Sequence, residues 1–478
     1  MRYLVEPWKH QLEAIERAKD MPGYALFFEM GAGKSGTAVN ILRHKFMKHG
    51  RILRTLVLCP PAVRTNWKRE FAMHAAKKVA DSVVVLEGSG KKRCEVLEKH
   101  GFDQVFGPLP KDKIFVTNYE SLAMKDLWKL LKDWAPEAII YDESQRCKNY
   151  KAKRTKLAIE IADQARYKYI LSGTPILNTP MDIWSQYRIL DGGETFDRNF
   201  FAFRAKYFVD QNAGMPSAKY FPAWRPAPGL ADVFNDKIYA KASRVLKKDC
   251  MDLPPIVRKR YEIDMVPDQE KLYKDMAKSY VAYLNDKACV ASIALTKGLR
   301  LQQIASGYFR DDQEKDHEFK TNPRLVTLMD ILADVTPDHK VIVWASFKKN
   351  YQQIFDALKA KGLEATSLVG GMKDNERQES IDKFQTDPKC RIMVSNAASG
   401  GVGINLTAAS YMIYYSRSFN LEHDLQSEAR CHRGGSERHE SITRIDLVTK
   451  DSIDDIVLTA LARKENLANN ILKLKDLL

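Results

Sequence analysis

No stretch of this sequence is apolar over the roughly 18 residues that a membrane-crossing helix needs. The opening residues, MRYLVEPWKHQ, are charged and lack the apolar core of a secretion signal. Cysteine is sparse: seven residues (Cys59, Cys94, Cys147, Cys250, Cys289, Cys390, Cys431) lie scattered, with no C-x-x-C pair. That argues against a disulfide frame or a zinc site and for a reducing compartment. The histidines are equally dispersed. What is present is the composition of a soluble globular protein, 45% apolar and 29% charged over 478 residues. Such a length exceeds one core and predicts two or three domains. The formal charge of +15 favours a polyanionic partner, DNA or RNA, without naming either.

The segment Tyr24–Val39, YALFFEMGAGKSGTAV, reads as an apolar strand, a glycine turn and the opening of a helix. Gly31 and Gly33 let the backbone turn tightly enough to aim N–H groups at phosphate oxygens. The helix behind them directs its positive end to the same place. The loop Met30, Gly31, Ala32, Gly33, Lys34, Ser35, Gly36 is therefore the candidate nucleotide site, with Lys34 for the β- and γ-phosphates and the Ser35 hydroxyl for Mg²⁺. Phe28 stands where the full G-x-x-x-x-G-K-[ST] pattern has its first glycine. Upstream, EPWKHQLEAIERA has helical spacing. It is either a plain amphipathic helix or one whose Gln11 holds the adenine edge.

Downstream, TLVLCP is a buried strand followed by PAVRTNWKREF, a helix start rich in Arg64, Lys68 and Arg69. GSGKKR, from Gly88 to Arg93, lacks a hydroxyl residue after its first lysine and reads as a loop with solvated charges. The next strand leads into TNYESL. AIIYDE, Ala138–Glu143, has the form of a buried parallel strand ending in two carboxylates. Ligands of open α/β sheets bind at such strand ends. Asp142 could then enter the Mg²⁺ shell while Glu143 orients and deprotonates a water; the plain alternative is an acidic turn. The basic run after it (Arg146 to Lys156) reads as a solvated face. YILSGTP is a further strand, and the strand–helix alternation implies a mostly parallel, doubly wound α/β sheet.

Between about Asp191 and Asn322 aromatics crowd together, and helical periodicity returns around Lys271–Leu301, predicting a mainly helical insert and connector. From Lys340 the α/β rhythm resumes with KVIVWASF, EATSLVGG, CRIMVSNA, SYMIYYS and ITRIDLV as five strands and no second nucleotide loop. In DLQSEARCHRGGSER, Arg430 and Arg433 lie three apart, on one face of a helix or at its end.

In this order the segments resemble a superfamily 2 helicase-type motor, specifically the Snf2 family of DNA translocases. The likeness runs from Gln11 to about Asp455. The phosphate loop is similar to motif I, CPPAVRTNW to motif Ia, and VTNYESL to the DNA-contacting segment before motif II. YDESQRCKN resembles motif II and LSGTPILNTPMDIWSQ motif III. WASF, SNAASGGVGINLTAA and QSEARCHR resemble motifs IV, V and VI. RVLKKDCMDLPP is similar to the connector that sets Snf2 proteins apart from generic helicases. Two departures stand out: Gln145 occupies a position usually held by His, and HRGGS replaces HRIGQ, leaving Gly434 and Ser436 without a clear role.

The resemblance implies two RecA-like α/β lobes with parallel sheets, residues 1–192 and 322–451, with helical protrusions and connector at 193–321 and a C-terminal brace helix at 452–478. It implies ATP with Mg²⁺ held by Gln11, Lys34, Ser35, Asp142 and Glu143, with Gly403 also near the nucleotide. Gln145 would link hydrolysis to motif III, and Arg430 and Arg433 would act as fingers on the γ-phosphate. Arg64, Asn66, Thr117, Asn118, Tyr119, Ser395 and Gly401 fall in segments that grip nucleic acid in the family. The expected partner is DNA, duplex preferred and bound without sequence readout. A protein loading partner, a monomeric state and no membrane complete the expectation. Little chain lies outside the motifs, so chromatin-reading or nuclease modules are not expected. A bacterial or phage motor in the cytoplasm, associated with the nucleoid, fits that compactness. The same motifs leave open a strand-separating helicase. Intact Lys34, Asp142, Glu143, Arg430 and Arg433 argue against an inert scaffold.

Overall fold

The apolar runs of the first half assemble side by side. In the computed structural model, which describes residues 3–103, 109–215, 224–285, 291–311, 313–398 and 404–473, the first sheet contains seven strands. These are β1 (Gly23–Phe28), β2 (Thr55–Cys59), β3 (Val83–Val85), β4 (Ile114–Asn118), β5 (Ala138–Asp142), β6 (Tyr167–Leu171) and, beyond a short antiparallel pair of β7 (Phe208–Asp210) and β8 (Trp224–Pro226), β9 (Ala242–Val245). Their order is β3-β4-β2-β5-β6-β1-β9, and every pairing is parallel. Strands β1, β2, β4 and β5 are buried along their whole length, as expected where helices cover both faces of a parallel sheet.

The second sheet is built from β10 (Ile256–Ile263), β13 (Val341–Trp344), β14 (Ala365–Leu368), β15 (Ile392–Ser395), β16 (Tyr411–Tyr414) and β17 (Ile442–Thr449) in the order β10-β17-β16-β13-β15-β14. Again all pairings are parallel. A small antiparallel pair, β11 (Tyr308–Arg310) and β12 (Asp316–Glu318), stands apart from it. The five strands expected after Lys340 are all present.

The chain divides into two compact units, one mainly Met1–Gly214 and Phe221–Met251, the other mainly Asp252–Glu465. The stretch 193–321, expected as a separate helical insert and connector, is divided between them. Helices Phe200–Tyr207, Ala231–Ala240, Pro267–Asn285 and Ala291–Ala305 account for much of it. It also supplies β9 to the first sheet and β10 to the second. The crowded aromatics pack on one another: Phe196, Phe203 and Phe234 are buried, and Tyr150 stacks on Phe200 at 3.8 Å between centroids. Among the described residues of the expected brace, 452–473, lies the helix Ile453–Lys473. Among the described residues no helix is long and apolar enough to cross a membrane.

Candidate functional site

Adjacent strands β5, β6 and β1 carry the three segments of interest at their carboxyl ends, so a parallel sheet alone brings them to one edge. After β1 the chain turns through Gly31 (φ 93°) and Gly33 (φ 79°), left-handed values that favour glycine, and enters the helix Lys34–His49. A Cβ on Gly33 would lie 1.9 Å from Nε2 of Gln11. Gln11, on the helix Lys9–Ala18, donates from that nitrogen to the Gly33 carbonyl at 3.2 Å and accepts from the Trp8 backbone N–H at 2.8 Å. Gln11 and the loop are thus in contact. Lys34 Nζ donates to the Phe28 carbonyl at 2.8 Å. Ser35 is half-buried at the helix start, Ala32 and Gly36 are buried, and Met30 sits in the turn itself. Gly173, after β6, lies against the loop backbone at Phe28, Glu29 and Met30.

Asp142 ends β5 and is buried. Desolvation, then the neighbouring Glu143 charge, pushes its carboxyl up to about 7, against the opposing pull of Trp67 and Lys34. Glu143 is nearly inaccessible, and its backbone is left-handed at φ 53°, ψ 55°. For a non-glycine residue such strain costs on the order of 1–3 kcal/mol. The turn throws its carboxylate toward Gln145, whose Nε2 donates to Glu143 Oε2 at 2.6 Å. Gln145 Oε1 in turn accepts from the Ser172 hydroxyl at 2.7 Å. One side chain therefore spans the segments after β5 and after β6. The adjacent Ser144 donates to Gln186 Oε1 at 2.7 Å, and Gln186 donates to the Pro175 carbonyl at 2.7 Å.

This donor set suits a nucleoside triphosphate with Mg²⁺. A buried carboxylate whose ionisation is opposed by an adjacent charge is relieved by a hard cation, and the hydroxyl of Ser35 is a ligand of the same hard type. No group of three or more His, Cys, Asp or Glu that could hold a metal occurs among the described residues. Magnesium keeps most of its waters and takes phosphate oxygens, so one or two protein ligands are enough.

The segments expected to meet nucleic acid are placed less simply. Thr117 and Tyr119 have no exposed surface, and Asn118 is buried. The Thr117 hydroxyl donates to Ser121 at 2.8 Å, and the Tyr119 hydroxyl donates to the Asp142 carbonyl at 2.8 Å. Asn118 accepts from Arg93 at 2.7 Å and donates to Glu120 at 2.7 Å. These side chains brace the ends of β4 and β5, and of their immediate neighbours Glu120 is exposed. GSGKKR differs from the expected loop of solvated charges. Ser89 caps a helix, Gly90–Gly101, and Arg93 turns inward to reach Asn118, Ser121 and the Gly88 carbonyl. Arg64 and Asn66 are half-buried on the helix Arg64–His74. Arg64 donates to the Pro61 and Leu86 carbonyls at 3.0 and 3.3 Å.

In the second unit, Ser395 is fully buried at the end of β15 and donates to the Leu368 carbonyl at 3.0 Å. Gly401 and Gly403 lie outside the described residues. Arg430 is buried in the last turn of the helix Leu421–Cys431, whereas Arg433 lies past that helix and donates to the Ile404 carbonyl at 3.2 Å. The pair straddles the helix end rather than sharing a helical face. The Leu406 N–H donates to the Arg430 carbonyl at 3.1 Å, joining the two arginine-bearing and glycine-rich segments. Arg444 of β17 anchors the same helix through Asp424 at 3.0 Å and through Glu428. Ser436, one of the two residues without an expected role, is fully buried.

Sequence reasoning missed Trp67. It is 1% exposed, and its indole N–H donates to Asp142 Oδ2 at 2.9 Å. The only available signal was its place in the apolar positions of an otherwise basic helix.

Residues 10–307 match the family model described as SNF2-related domain, and residues 323–435 match the helicase conserved C-terminal domain. The chain is 25% identical over 468 residues to a chromodomain-helicase-DNA-binding protein 1-like of Danio rerio, covering 95% of this chain and 42% of that one. It is also 25% identical over 459 residues to an uncharacterized ATP-dependent helicase of Mycoplasma pneumoniae, covering 94% and 40%. It thus spans less than half the length of these two curated relatives. Among solved structures it is similar to the Sulfolobus solfataricus SWI2/SNF2 ATPase core in complex with dsDNA, with 22% identity, a TM-score of 0.43 and coverage of 98% and 93%.

Proposed function

This chain belongs to the SNF2-related family, and on that premise we propose that it is a DNA-stimulated ATPase that moves along duplex DNA with no need to part the strands. The observation that carries this reading is the gathering of the Gly31–Ser35 loop and the buried Asp142–Glu143 pair at one sheet edge. Lys34 and the loop N–H groups bind the phosphates, and Gln11 stands beside the loop for the base. Glu143 orients the attacking water and takes its proton, while Gln145 holds that carboxylate in place. Mg²⁺, held by Ser35 and Asp142, would neutralise charge developing on the phosphates. The finger role expected of Arg430 and Arg433 in this family would be worth about 10³ to 10⁵ in rate. DNA contact falls to exposed Lys68 and Arg69, half-buried Arg64 and Asn66, and backbone near Asn118 and Ser395. It is expected to be insensitive to sequence and steeply dependent on salt.

The test is the steady-state ATPase rate without nucleic acid, then with duplex DNA, single-stranded DNA and RNA, using Lys34→Ala as the blank. Strong stimulation by duplex DNA is expected, followed by triplex displacement on the same substrate. Stimulation by single strands or RNA alone would replace this proposal with a strand-separating helicase. A rate no higher than that of Lys34→Ala under all four conditions would refute it.

A further inference from the structure

The helix Arg64–His74 has two faces with different business. Trp67 and Phe71 are buried, and His74 follows one turn later on the same side. Trp67 reaches Asp142 at 2.9 Å. The His74 ring covers Gly36, the second residue after Lys34, so closely that a Cβ there would lie 2.6 Å from its Nε2. The inner face thus touches the candidate metal ligand and the start of the phosphate-loop helix. The outer face carries Thr65, Lys68 and Arg69, all exposed, with Arg64 and Asn66 at its margin. A rigid helix of three turns cannot shift on one face without moving the other.

We propose that Trp67 is a positioning residue that sets the orientation of the Asp142 carboxylate, and that polyanion binding to the basic face of its helix acts on the nucleotide site through this contact. An N–H donor to one carboxylate oxygen would leave the other oxygen available to a bound cation. Outer partners of this kind typically change metal affinity or activity by roughly 10–100-fold when removed. This role presupposes the ATPase activity proposed above. Because Asp142 is internal and the basic face external, Trp67 is also the point at which a nonspecific surface contact gains access to chemistry.

Trp67→Phe keeps the ring packing and removes the N–H. The experiment measures three quantities on the full chain: affinity for a fluorescent ATP analogue with Mg²⁺ and with EDTA, affinity for duplex DNA, and the ratio of DNA-stimulated to DNA-free kcat. Thermal melting shows whether the variant is folded. The expected result is a loss of about tenfold or more in the Mg²⁺-dependent part of nucleotide affinity, with metal-free affinity and DNA affinity retained and a reduced stimulation ratio. In an Asp142→Asn background Trp67→Phe should then add nothing to the metal-dependent loss, whereas a merely structural tryptophan would act equally in both backgrounds. Unchanged magnesium dependence in Trp67→Phe, or equal effects in the two backgrounds, overturns the positioning role. An unchanged stimulation ratio overturns the coupling. The binding measurements remain decisive even if the wild-type chain proves not to hydrolyse ATP, so the failure of each proposal can be told from that of the other.

Discussion

Replacing Gln145 with leucine tests the bridge between the segments after β5 and β6. The amide is 1% exposed, and its side-chain hydrogen bonds include one to Glu143 at 2.6 Å and one from Ser172 at 2.7 Å. Leucine is close in volume, so no large cavity opens, but the Glu143 carboxylate and the Ser172 hydroxyl each lose this bond. A hydrogen bond to a charged group contributes about 1.5–3 kcal/mol and a neutral one about 1 kcal/mol, or roughly 3 kcal/mol together. At about 2–4 °C per kcal/mol for a unit of this size, melting of the first unit should fall by ~6–12 °C. The catalytic effect should be larger than the structural one. Glu143 would be free to swing within its strained turn, and a misplacement of about 1 Å in a reacting geometry can cost on the order of 100-fold. The assay is steady-state ATP hydrolysis with saturating duplex DNA, read as kcat and KM separately, beside a thermal melt. The expected outcome is kcat down about 100-fold with KM within about threefold. Gln145→His restores a donor to Glu143 and should recover most of the loss. Wild-type kcat in a folded Gln145→Leu protein would show that the bridge does not organise the base.

Gly33→Ala places a side chain at φ 79° and 1.9 Å from Gln11 Nε2, so ATP affinity should fall at least tenfold by calorimetry. Arg433→Ala should lower kcat with little change in ATP affinity, because a finger acts on the transition state; unchanged turnover would remove it from that role. Arg324, 2% exposed, donates to the Tyr415 carbonyl at 2.8 Å and Thr449 Oγ1 at 2.5 Å and pairs with Asp454. Arg324→Ala removes the buried cation these groups share, leaving Asp454 only the Thr449 N–H among its side-chain contacts here, and should destabilise the second unit by about 3–5 kcal/mol in urea unfolding.

Residues whose function depends on local backbone were legible before the structure. Glycine at 31 and 33 signals positive φ, and an apolar run ending in Asp142–Glu143 signals a parallel strand end, because both constraints act over a few residues. Most strands of both sheets were legible for the same reason. Residues whose function depends on what packs against them were not. Tyr119 and Thr117 point inward because Asp142 and Ser121 receive them. Arg93 is buried because Asn118 offers an acceptor. Asp142 and Asn118 lie 23 and 25 residues from the side chains they receive, too far to leave a periodic trace. Strands β9 and β10 escaped because they lie in a composition that reads as helical and polar, and only the sheets they join make them strands. Glu143 is a mixed case: its identity announced a carboxylate, and its left-handed backbone did not show.

Strand β10 has a consequence for how the chain is made. Its register runs Ile256↔Ile442 through Ile263↔Thr449, so it meets its partner last of all the second-sheet strands. At ribosomal rates of about 5–20 residues per second, the intervening stretch of about 190 residues leaves β10 waiting on the order of 10–40 seconds. During that interval it is a nascent strand with both edges open, the state most inclined to pair with another chain. Arg258, Lys259 and Arg260 sit in its middle, exposed even in the finished fold. Their charges act as gatekeepers, keeping the strand from sticking to its neighbours until β17 emerges.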